Sequence, residues 1–529
     1  KRGLLVAIAL SNLSVRLPSL LAEEGGTGNT HLGAEFGDYN VKAGDGVSVT
    51  VRSQINGEQQ MPLGGDWMVS LDPDFAGMKQ RWYSRLLEKD ARPIRLPGTL
   101  DGAGYGTLTK GRWWRYLNRV VEYIGPAWYQ REVEIPEAWS GKRVMLIMER
   151  VMWESSVWVD DTLIGSQDYL CTPHEYDLTA KLTPGKHRIT LRINNRERMT
   201  GTSHGYGTDT QIRWNGIVGN FALIATDPVY VKSVQAYPDV AGNRVKAVVT
   251  VGNDTGLSID AAIKVQVSLK GAKEQGAGAP PVNGWLKMAG REGRCEIQIP
   301  MGEGTKLWDE FSPNLYEMVV GLQADWDGGK ASHSKSRTFG MRTIGRNGGQ
   351  FTWNGRTIYL RGTHDGGAFP LTGHPPCDVA SWKRIFEICK DHGLNHVRYH
   401  TFTPPEAAFT AADEVGIILQ PEMPLWGRVQ WGSKAAAFVW LESERILDYY
   451  GNHPSFAMYS LGNEHAGEWD ALDSMVVALK KKDPRPLYAG CANEYIRPKD
   501  PGYPVSPNDD FATIMWGKER ANEDERPRA

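Results

Sequence analysis

Short runs in which apolar and polar residues alternate dominate the first half of the chain. Examples are WYQREVEIP (128–136), RVMLIMERV (143–151) and SSVWVDDTLIG (155–165), in which Asp160 and Asp161 can form a turn between two strands. A period of two is typical of strands with one buried and one exposed face. We therefore predict that residues 57–228 form a jelly-roll β-sandwich of about eight strands.

A second all-β region is predicted for residues 229–340. Its run IKVQVSLK (263–270) alternates strictly, so that one face of the strand is buried and the other is wet. The following segment GAKEQGAGAPPVNG (271–284) is rich in glycine and proline and predicts a loop. The size of the region and its alternation favour an immunoglobulin-like β-sandwich.

Strand-like and helix-like stretches alternate in the remaining region, 341–529. The predicted strands are 357–364, 396–400, 417–423, 457–464, 486–490 and 511–517, and the predicted helices are one around Trp382, Ile385, Phe386 and Cys389 and three at 404–416, 437–451 and 469–481. Apolar strands that alternate with helices are typical of a parallel sheet covered on both faces. Neither GxGxxG nor GxxxxGK[ST] follows the first strand, so we predict a (β/α)8 TIM barrel and not a nucleotide-binding fold.

Composition narrows the function classes. A chain of 529 residues is too long for one hydrophobic core, in line with three modules. Lys+Arg 60 against Asp+Glu 62 gives no electrostatic reason to expect nucleic acid or an anionic membrane as partner. The five cysteines include no CxxC pair, which argues against a zinc site and a disulfide framework. We therefore predict no metal and no cofactor, while oligomerisation stays open.

The N-terminal segment, 1–56, has the features of a signal and a linker. Lys1 and Arg2 precede a short apolar run, which is the pattern of a secretory signal and too short to span a bilayer. Residues 23–56 are rich in Gly, Thr, Asn and Asp. We predict a secreted or periplasmic protein, with a cytoplasmic location as the alternative.

Ionisable and amide side chains follow several of the predicted barrel strands. They are His364, Asp365, Arg398, His400, Glu422, Asn463 and Glu464. In a (β/α) barrel the C-terminal strand ends meet at one mouth, where the reactive groups lie. We interpret His364 and Asp365 as structural residues, and the other five as a candidate site.

The motif SLGNEH (460–465) carries the most specific chemistry. A carboxyl at a strand end can protonate the departing oxygen of a glycosidic bond, and a neighbouring amide can bond a ring hydroxyl. We predict Glu464 as general acid/base, with Asn463, Arg398, His400 and Glu422 binding the substrate.

At these residues the chain resembles family 2 of the glycoside hydrolases, which contains β-galactosidases, β-glucuronidases and β-mannosidases. WYQREVEIP is similar to the family's sugar-binding sandwich, LWDEFSPNLYEMVVGL (307–322) to its immunoglobulin-like domain, FGMRTI (339–344) to its entry into the barrel and NHPSFAMYSLGNE (452–464) to its acid/base motif. The resemblance implies that Glu464 is the acid/base, that Asn463 contacts the sugar 2-hydroxyl and that Arg398 is the family's arginine on strand 2. It implies an exo-glycosidase that acts on oligo- or polysaccharide.

Two motifs depart from the family pattern. The frequent GVNRHE is here GTHDGG (362–367), and VRxSH is here VRYHT (397–401), so the substrate sugar is not assigned. Family members are retaining enzymes with a nucleophilic carboxylate at strand 7. About 31 residues per βα unit would place that strand end near residue 560, so the nucleophile is expected beyond Ala529 and residues 1–529 alone are expected to be inactive.

Three alternatives remain. The first is a non-catalytic carbohydrate-binding or scaffold protein with a decayed barrel. The second is an inverting glycosidase, in which the two carboxyls lie about 6.5–9.5 Å apart. The third is a metal-dependent hydrolase that uses His364, His400 and Glu422, which show no HxH or HExxH spacing.

Overall fold

The computed structural model describes residues 57–87, 91–109, 119–198, 205–207, 213–271, 278–492, 506 and 508–513. The predicted signal and linker at 1–56 lie outside these ranges, as do residues 514–517 of the last predicted strand. No helix in the described ranges is both long and apolar enough to cross a membrane.

The first module is a sandwich of two antiparallel sheets. Its strands are β1 (Gln59–Pro62), β2 (Gly65–Leu71), β3 (Arg92–Leu96), β4 (Gly98–Thr99), β5 (Thr107–Leu108), β6 (Val121–Glu122), β7 (Pro126–Ile135), β8 (Arg143–Val151), β9 (Glu154–Val159), β10 (Thr162–Gln167), β11 (His174–Asp177), β12 (Gly185–Asn194) and β13 (Gly216–Thr226). One sheet has the order β1-β13-β8-β11 with β4 on β13, and the other has the order β10-β9-β12-β7-β2-β3. A one-turn helix α1 (Ala76–Lys79) and two 3₁₀ turns (Trp82–Ser84, Glu137–Trp139) complete the module. The β-sandwich is confirmed, and the described residues of this module form thirteen strands where about eight were predicted.

The second module is a sandwich of a three-stranded and a four-stranded sheet. Its strands are β14 (Val229–Asp239), β15 (Arg244–Asn253), β16 (Ile259–Leu269), β17 (Gly278–Met288), β18 (Glu292–Pro300), β19 (Tyr316–Trp326) and β20 (Gly329–Phe339). The sheet orders are β14-β15-β18 and β17-β16-β19-β20. As the alternation in β16 predicts, Ile263, Val265 and Val267 are buried, whereas Lys264 and Gln266 face solvent.

The prediction of a loop over 271–284 was wrong from Gly278 onwards, where β17 begins. This strand lies at the edge of its sheet, and its ladder with β16 is irregular between Val265 and Val267. The irregularity places Pro280 and Pro281 where no regular ladder partner is required. Proline lacks the N–H of a ladder bond and is tolerated at edges and bulges, so its presence did not exclude a strand.

The third module begins with a small antiparallel sheet and continues with alternating strands and helices. Its strands are β21 (Ile344–Asn347), β22 (Gln350–Trp353), β23 (Arg356–Ile358), β24 (Gly362–Asp365), β25 (His396–Tyr399), β26 (Ile418–Gln420), β27 (Arg428–Val429), β28 (Met458–Ser460), β29 (Ala466–Gly467) and β30 (Leu487–Ala489). Its helices are α2 (Val379–Asp391), α3 (Glu406–Val415), α4 (Lys434–Tyr450) and α5 (Trp469–Lys482). The single strand predicted at 357–364 is two strands, β23 and β24, and between them the Arg361 N–H donates to Asn395 Oδ1 at 2.7 Å.

Five strands of the third module, β24, β25, β26, β28 and β30, are parallel, and β27 and β29 form a further parallel pair. β24 pairs with β25 and β25 with β26, and β28 pairs with β30. Two isolated parallel bridges, Leu419 to Phe456 and Glu422 to Ser460, join β26 to β28. Since the strands are parallel, their C-terminal ends lie at one edge of the sheet, with α2 to α5 in the connections.

Buried charged side chains join the first module to the third. Arg150 of β8 donates to the carbonyl oxygens of Thr403 at 3.1 Å and Pro404 at 2.5 Å. Glu442 of α4 accepts the backbone N–H groups of Leu170 at 3.0 Å and Cys171 at 2.6 Å. The first module therefore holds the segment that follows β25, immediately beyond the strand-end residues.

His453 fixes the chain just before β28. Its ring is buried, with Nδ1 2.6 Å from Asp413 Oδ2 and Nε2 3.3 Å from Glu406 Oε1. Asp413 Oδ1 also accepts the Ser455 N–H at 3.0 Å. Burial by itself lowers the pKa of His453, but the carboxylates of Asp413 and Glu406 outweigh that effect and raise the pKa to about 10. The imidazolium thus ties α3 to the entrance of β28.

We expect His453→Gln to lower stability in a pH-dependent way. A pKa raised on folding contributes stability that is complete below the unfolded value of about 6.5 and is lost as the pH rises through the folded value. The difference in thermal midpoint between the natural protein and H453Q should be largest near pH 6 and shrink towards pH 10. Differential scanning calorimetry across this range measures it, and a difference independent of pH would contradict a charged His453.

Candidate active site

Four of the predicted residues lie in, or shortly after, strands that the sheet places side by side. Arg398 lies in β25, Glu422 lies two residues beyond β26, and Asn463 and Glu464 lie just beyond β28. Glu422 and Ser460 form a parallel backbone β-bridge, so the ends of β26 and β28 are in contact. The parallel pairing is the reason why residues 24 to 66 positions apart in the sequence come together.

Arg398 connects Glu422 to Asn463. Its Nε donates to Glu422 Oε1 at 2.6 Å, and its Nη2 donates to Asn463 Oδ1 at 2.8 Å. The second carboxylate oxygen, Glu422 Oε2, accepts the Thr401 N–H at 2.8 Å. With both oxygens of Glu422 engaged, the guanidinium is held in place, and its Nη2 donates to the asparagine.

Asn463 is oriented by this contact. A guanidinium only donates hydrogen bonds, so the amide oxygen must face Arg398 and the amide nitrogen must face away from it. Asn463 is 1% exposed, and its Nδ2 has no hydrogen-bond partner among the described residues. A buried donor without a partner costs about 1–3 kcal/mol, which a bound hydroxyl would recover.

Glu464 has an unusual backbone conformation for a residue with a side chain. Its φ is 49°, in the left-handed region, and its N–H donates to Ala492 O at 2.8 Å. Two residues earlier, a Cβ at Gly462 would lie 2.4 Å from His465 Nε2 and 2.5 Å from Leu425 O, so only glycine fits there. The half-buried Glu464 is thus set by a tight turn directly after β28, beside Asn463.

The two histidines at the first strand ends lie close together. The rings of His364 and His400 are 5.1 Å apart, and Trp426 meets His400 edge-on at 5.7 Å. His400 is 7% exposed and its Nδ1 lies 3.0 Å from Thr401 Oγ1. Asp365 Oδ1 accepts the Gly367 N–H at 2.8 Å, and the structural role predicted for it stays a prediction.

Sequence reasoning missed Thr401 and Trp426. The Thr401 N–H is a backbone group and leaves no trace in residue type, although its φ of 47° marks a specific turn. Trp426 lies in the loop after β26, where no periodic pattern identified it.

Burial acts on the pKa of two carboxyls near the strand ends. Complete burial raises the pKa of Glu422, and the Arg398 guanidinium and the Thr401 N–H act in the opposite direction. Burial also raises the pKa of Asp365. Since Glu422 is paired with Arg398 at 2.6 Å, the two form an ion pair that adds no net charge to the site.

The residues of the candidate site neither form a metal-binding cluster nor line the cavity between the three modules. Within the described ranges, no group of three or more His, Cys, Asp or Glu side chains is placed to hold a metal ion. A cavity of about 430 Å³ lies where the three modules meet, lined among others by Glu149, Lys270, Glu317 and Glu406. None of the five residues of the candidate site lines it.

Two family models match the chain. "Glycosyl hydrolases family 2, sugar binding domain" matches residues 61–226, and "Glycosyl hydrolases family 2" matches residues 229–342. Together they cover more than half of the 529 residues and correspond to the two sandwiches.

Several curated proteins are similar in sequence. A β-glucuronidase of Paenibacillus borealis is 25% identical over 76% of this chain and 67% of its own length. The human β-glucuronidase is 24% identical over 83% of the chain and 70% of its own, and a β-galactosidase of Thermoanaerobacter pseudethanolicus is 24% identical over 75% and 52%. For a putative β-glucuronidase of Formosa agariphila the matched share of the relative is 34%, so the chain spans between 34% and 70% of the length of these four relatives.

Solved structures share the fold. A β-glucuronidase of Bacteroides uniformis superposes with a TM-score of 0.68 at 15% identity, over 87% of this chain and 55% of that one. A β-glucuronidase of Ruminococcus gnavus in complex with D-glucuronic acid superposes with a TM-score of 0.67 at 20% identity, over 89% and 78%.

Proposed function

Because the chain belongs to family 2 of the glycosyl hydrolases, we propose that it carries the acid/base residue of a retaining exo-glycosidase that removes a terminal β-linked sugar from an oligo- or polysaccharide. Its parallel strands form part of a TIM barrel in this proposal. Glu464 protonates the departing oxygen and then activates the water that releases the sugar. The nucleophilic carboxylate of that mechanism stays a prediction.

The observation that carries the proposal is the unpartnered amide of Asn463. Arg398 fixes the amide oxygen, and the buried Nδ2 donor, which has no partner among the described residues, is the group that we assign to a hydroxyl next to the reacting carbon. Such a bond strengthens as positive charge develops on the sugar ring, which stabilises the transition state more than the ground state. Glu422 acts as a positioning residue, since it holds Arg398 through Oε1 and the turn at Thr401 through Oε2.

His400 and Trp426 complete the proposed sugar site. His400 is largely buried and lies beside Trp426, which is only half-buried and offers an apolar ring. An apolar ring with a neighbouring polar group suits a sugar, whose faces carry C–H groups and whose edge carries hydroxyls. The identity of the sugar is not assigned, because the relatives include both β-glucuronidases and β-galactosidases.

Assays of the full-length gene product on 4-nitrophenyl glycosides test the proposed reaction class. We expect hydrolysis of a β-glycoside, with the glucuronide and the galactoside as the first two substrates, and early release of the β-anomer in proton NMR spectra. First release of the α-anomer would indicate inversion. Sugar binding without turnover of any glycoside would favour the non-catalytic alternative.

Asn463→Ala is expected to lower kcat/KM by about 10²–10³-fold while leaving KM less affected, since the lost bond is strongest in the transition state. A 2-deoxy substrate lacks the proposed partner. The natural protein and N463A should therefore hydrolyse the 2-deoxy glycoside at similar rates. If N463A loses as much activity on the 2-deoxy substrate as on the parent sugar, Asn463 does not contact that hydroxyl.

A further inference from the structure

Trp285 is exposed on the outer face of the second sandwich. It keeps 78% of its surface accessible, whereas Trp431, the next most exposed tryptophan of the described residues, keeps 37%. Trp285 belongs to β17, the edge strand of the four-stranded sheet. Its register partner is Ala262 of β16, whose side chain faces away from the core. No contact within the described chain explains why so large an apolar ring is kept in solvent.

The strand register defines a surface around Trp285, which we call the Trp285 face. Small and hydrogen-bonding side chains surround the indole on the same side of the sheet. These residues are Ala262, Lys264, Asn283, Gly321, Gln323, Ser332 and Ser334. Ala262 and Gly321 leave room beside the indole, and the others supply amide, hydroxyl and ammonium groups.

Lys264 is the charged group of this face without a partner. Two other lysines on the same side of the sheet are paired, Lys287 with Asp260 at 3.4 Å and Lys330 with Asp325 at 3.0 Å. Lys264 has no hydrogen bond or ion pair among the described residues. In the strand register Lys264 lies opposite Asn283, which is two residues from Trp285. Lys264 and Trp285 are therefore diagonal neighbours on one face of the sheet, with backbones about 7–8 Å apart.

We propose that the Trp285 face is an accessory binding site for a polysaccharide that contains carboxylated sugars. The indole stacks on the C–H face of one sugar ring, the amide and hydroxyl side chains bond its hydroxyls, and Lys264 pairs with a sugar carboxylate. The site lies on a different module from Asn463 and Glu464, so it retains the polymer independently of cleavage.

The composition of the face argues against a protein partner. Trp285 is the one large apolar side chain on it that the structure describes as exposed, and a stable protein interface buries about 800 Å² on each side around an apolar core. Pairing of β17 with a second copy is also disfavoured. Pro280 and Pro281 have no backbone N–H to donate to a neighbouring strand. The exposed Lys287 lies on the same edge strand, and a lysine at a sheet edge also disfavours pairing with another strand.

Affinity electrophoresis with a matched pair of polymers tests the proposal. The gels contain polygalacturonate or the same polymer with its carboxyls methyl-esterified, and the protein carries Glu464→Gln so that the polymer is not consumed. We expect polygalacturonate to retard the protein and Trp285→Ala to weaken that binding by at least about tenfold. Lys264→Gln should weaken binding to polygalacturonate only. Tyr359→Ala, which removes a side chain of a residue that is 80% exposed, should bind as the parent does.

Each other outcome overturns a defined part of the inference. If neither polymer retards the protein, or if W285A and its parent are retarded equally, the accessory site is refuted. Equal weakening of both polymers by K264Q refutes the carboxylate contact. If sedimentation velocity shows that W285A converts a dimer to a monomer, the face is an interface between copies and not a glycan site. Because binding is measured without turnover, none of these results depends on the proposed reaction.

Discussion

Glu464→Gln is expected to slow the hydrolysis of substrates with poor leaving groups strongly and to spare substrates with good ones. A carboxyl that protonates the departing oxygen contributes about 10²–10⁴-fold, so kcat/KM for a phenyl glycoside should fall by that factor. A 2,4-dinitrophenolate leaves without protonation, and kcat/KM for that glycoside should change by less than about threefold. Steady-state kinetics with a series of aryl glycosides in the full-length gene product measures the contrast.

The dependence on the leaving group separates catalysis from damage to the fold. A merely structural loss would lower activity on all aryl glycosides equally, and that result would remove Glu464 from the acid/base role. Glu387→Gln provides a matched control, because Glu387 is an exposed carboxylate of α2, far along the chain from the turn at 462–464. Its activity profile should follow that of the natural protein.

Arg398→Met should lower both stability and activity. The substitution leaves the carboxylate of Glu422, which is 0% exposed, without its charged partner, and breaking a buried ion pair on one side costs about 3–5 kcal/mol. It also frees the Asn463 amide to rotate, since its oxygen loses the donor at 2.8 Å. We expect a fall of several degrees in the thermal midpoint and a fall in kcat/KM of about 10²-fold or more.

A double variant distinguishes these two effects. Arg398→Met with Glu422→Leu removes both charges, so much of the lost stability should return, while the asparagine remains unsupported and activity stays low. Arg384→Met, at an exposed arginine of α2, controls for the loss of a positive charge. Recovery of activity together with stability in the double variant would show that Arg398 has no positioning role.

The contact between the first module and the segment after β25 gives the sandwich a part in the site. Arg150 holds the carbonyl oxygens of Thr403 and Pro404, two and three residues beyond the Thr401 N–H that bonds Glu422. The sandwich thus stabilises the turn on which the Glu422–Arg398–Asn463 chain of hydrogen bonds depends.

Local patterns in the sequence determined most of the elements. Alternation identified β7, β8, the β9–β10 hairpin and β16, because a strand with one wet face must repeat every two residues. The helix at 404–416 was delimited by its prolines and by Gly416, which adopts a φ of 83° at the C-cap. The NE motif after the fourth predicted strand identified Asn463 and Glu464, because residue type and position after a strand can both be taken from the sequence.

Only the tertiary structure decided which of these residues meet. The strand register brought Arg398, Glu422 and Asn463 into one hydrogen-bonded row, and that row left the Asn463 amide nitrogen without a partner. The Thr401 N–H and the exposed Trp285 depend likewise on backbone conformation and on which strand forms a sheet edge. A sequence gives the side chains and their order, and from these the strands, helices and candidate residues could be predicted. Hydrogen-bond geometry and exposure arise from contacts between distant segments, so they could not be predicted from the sequence alone.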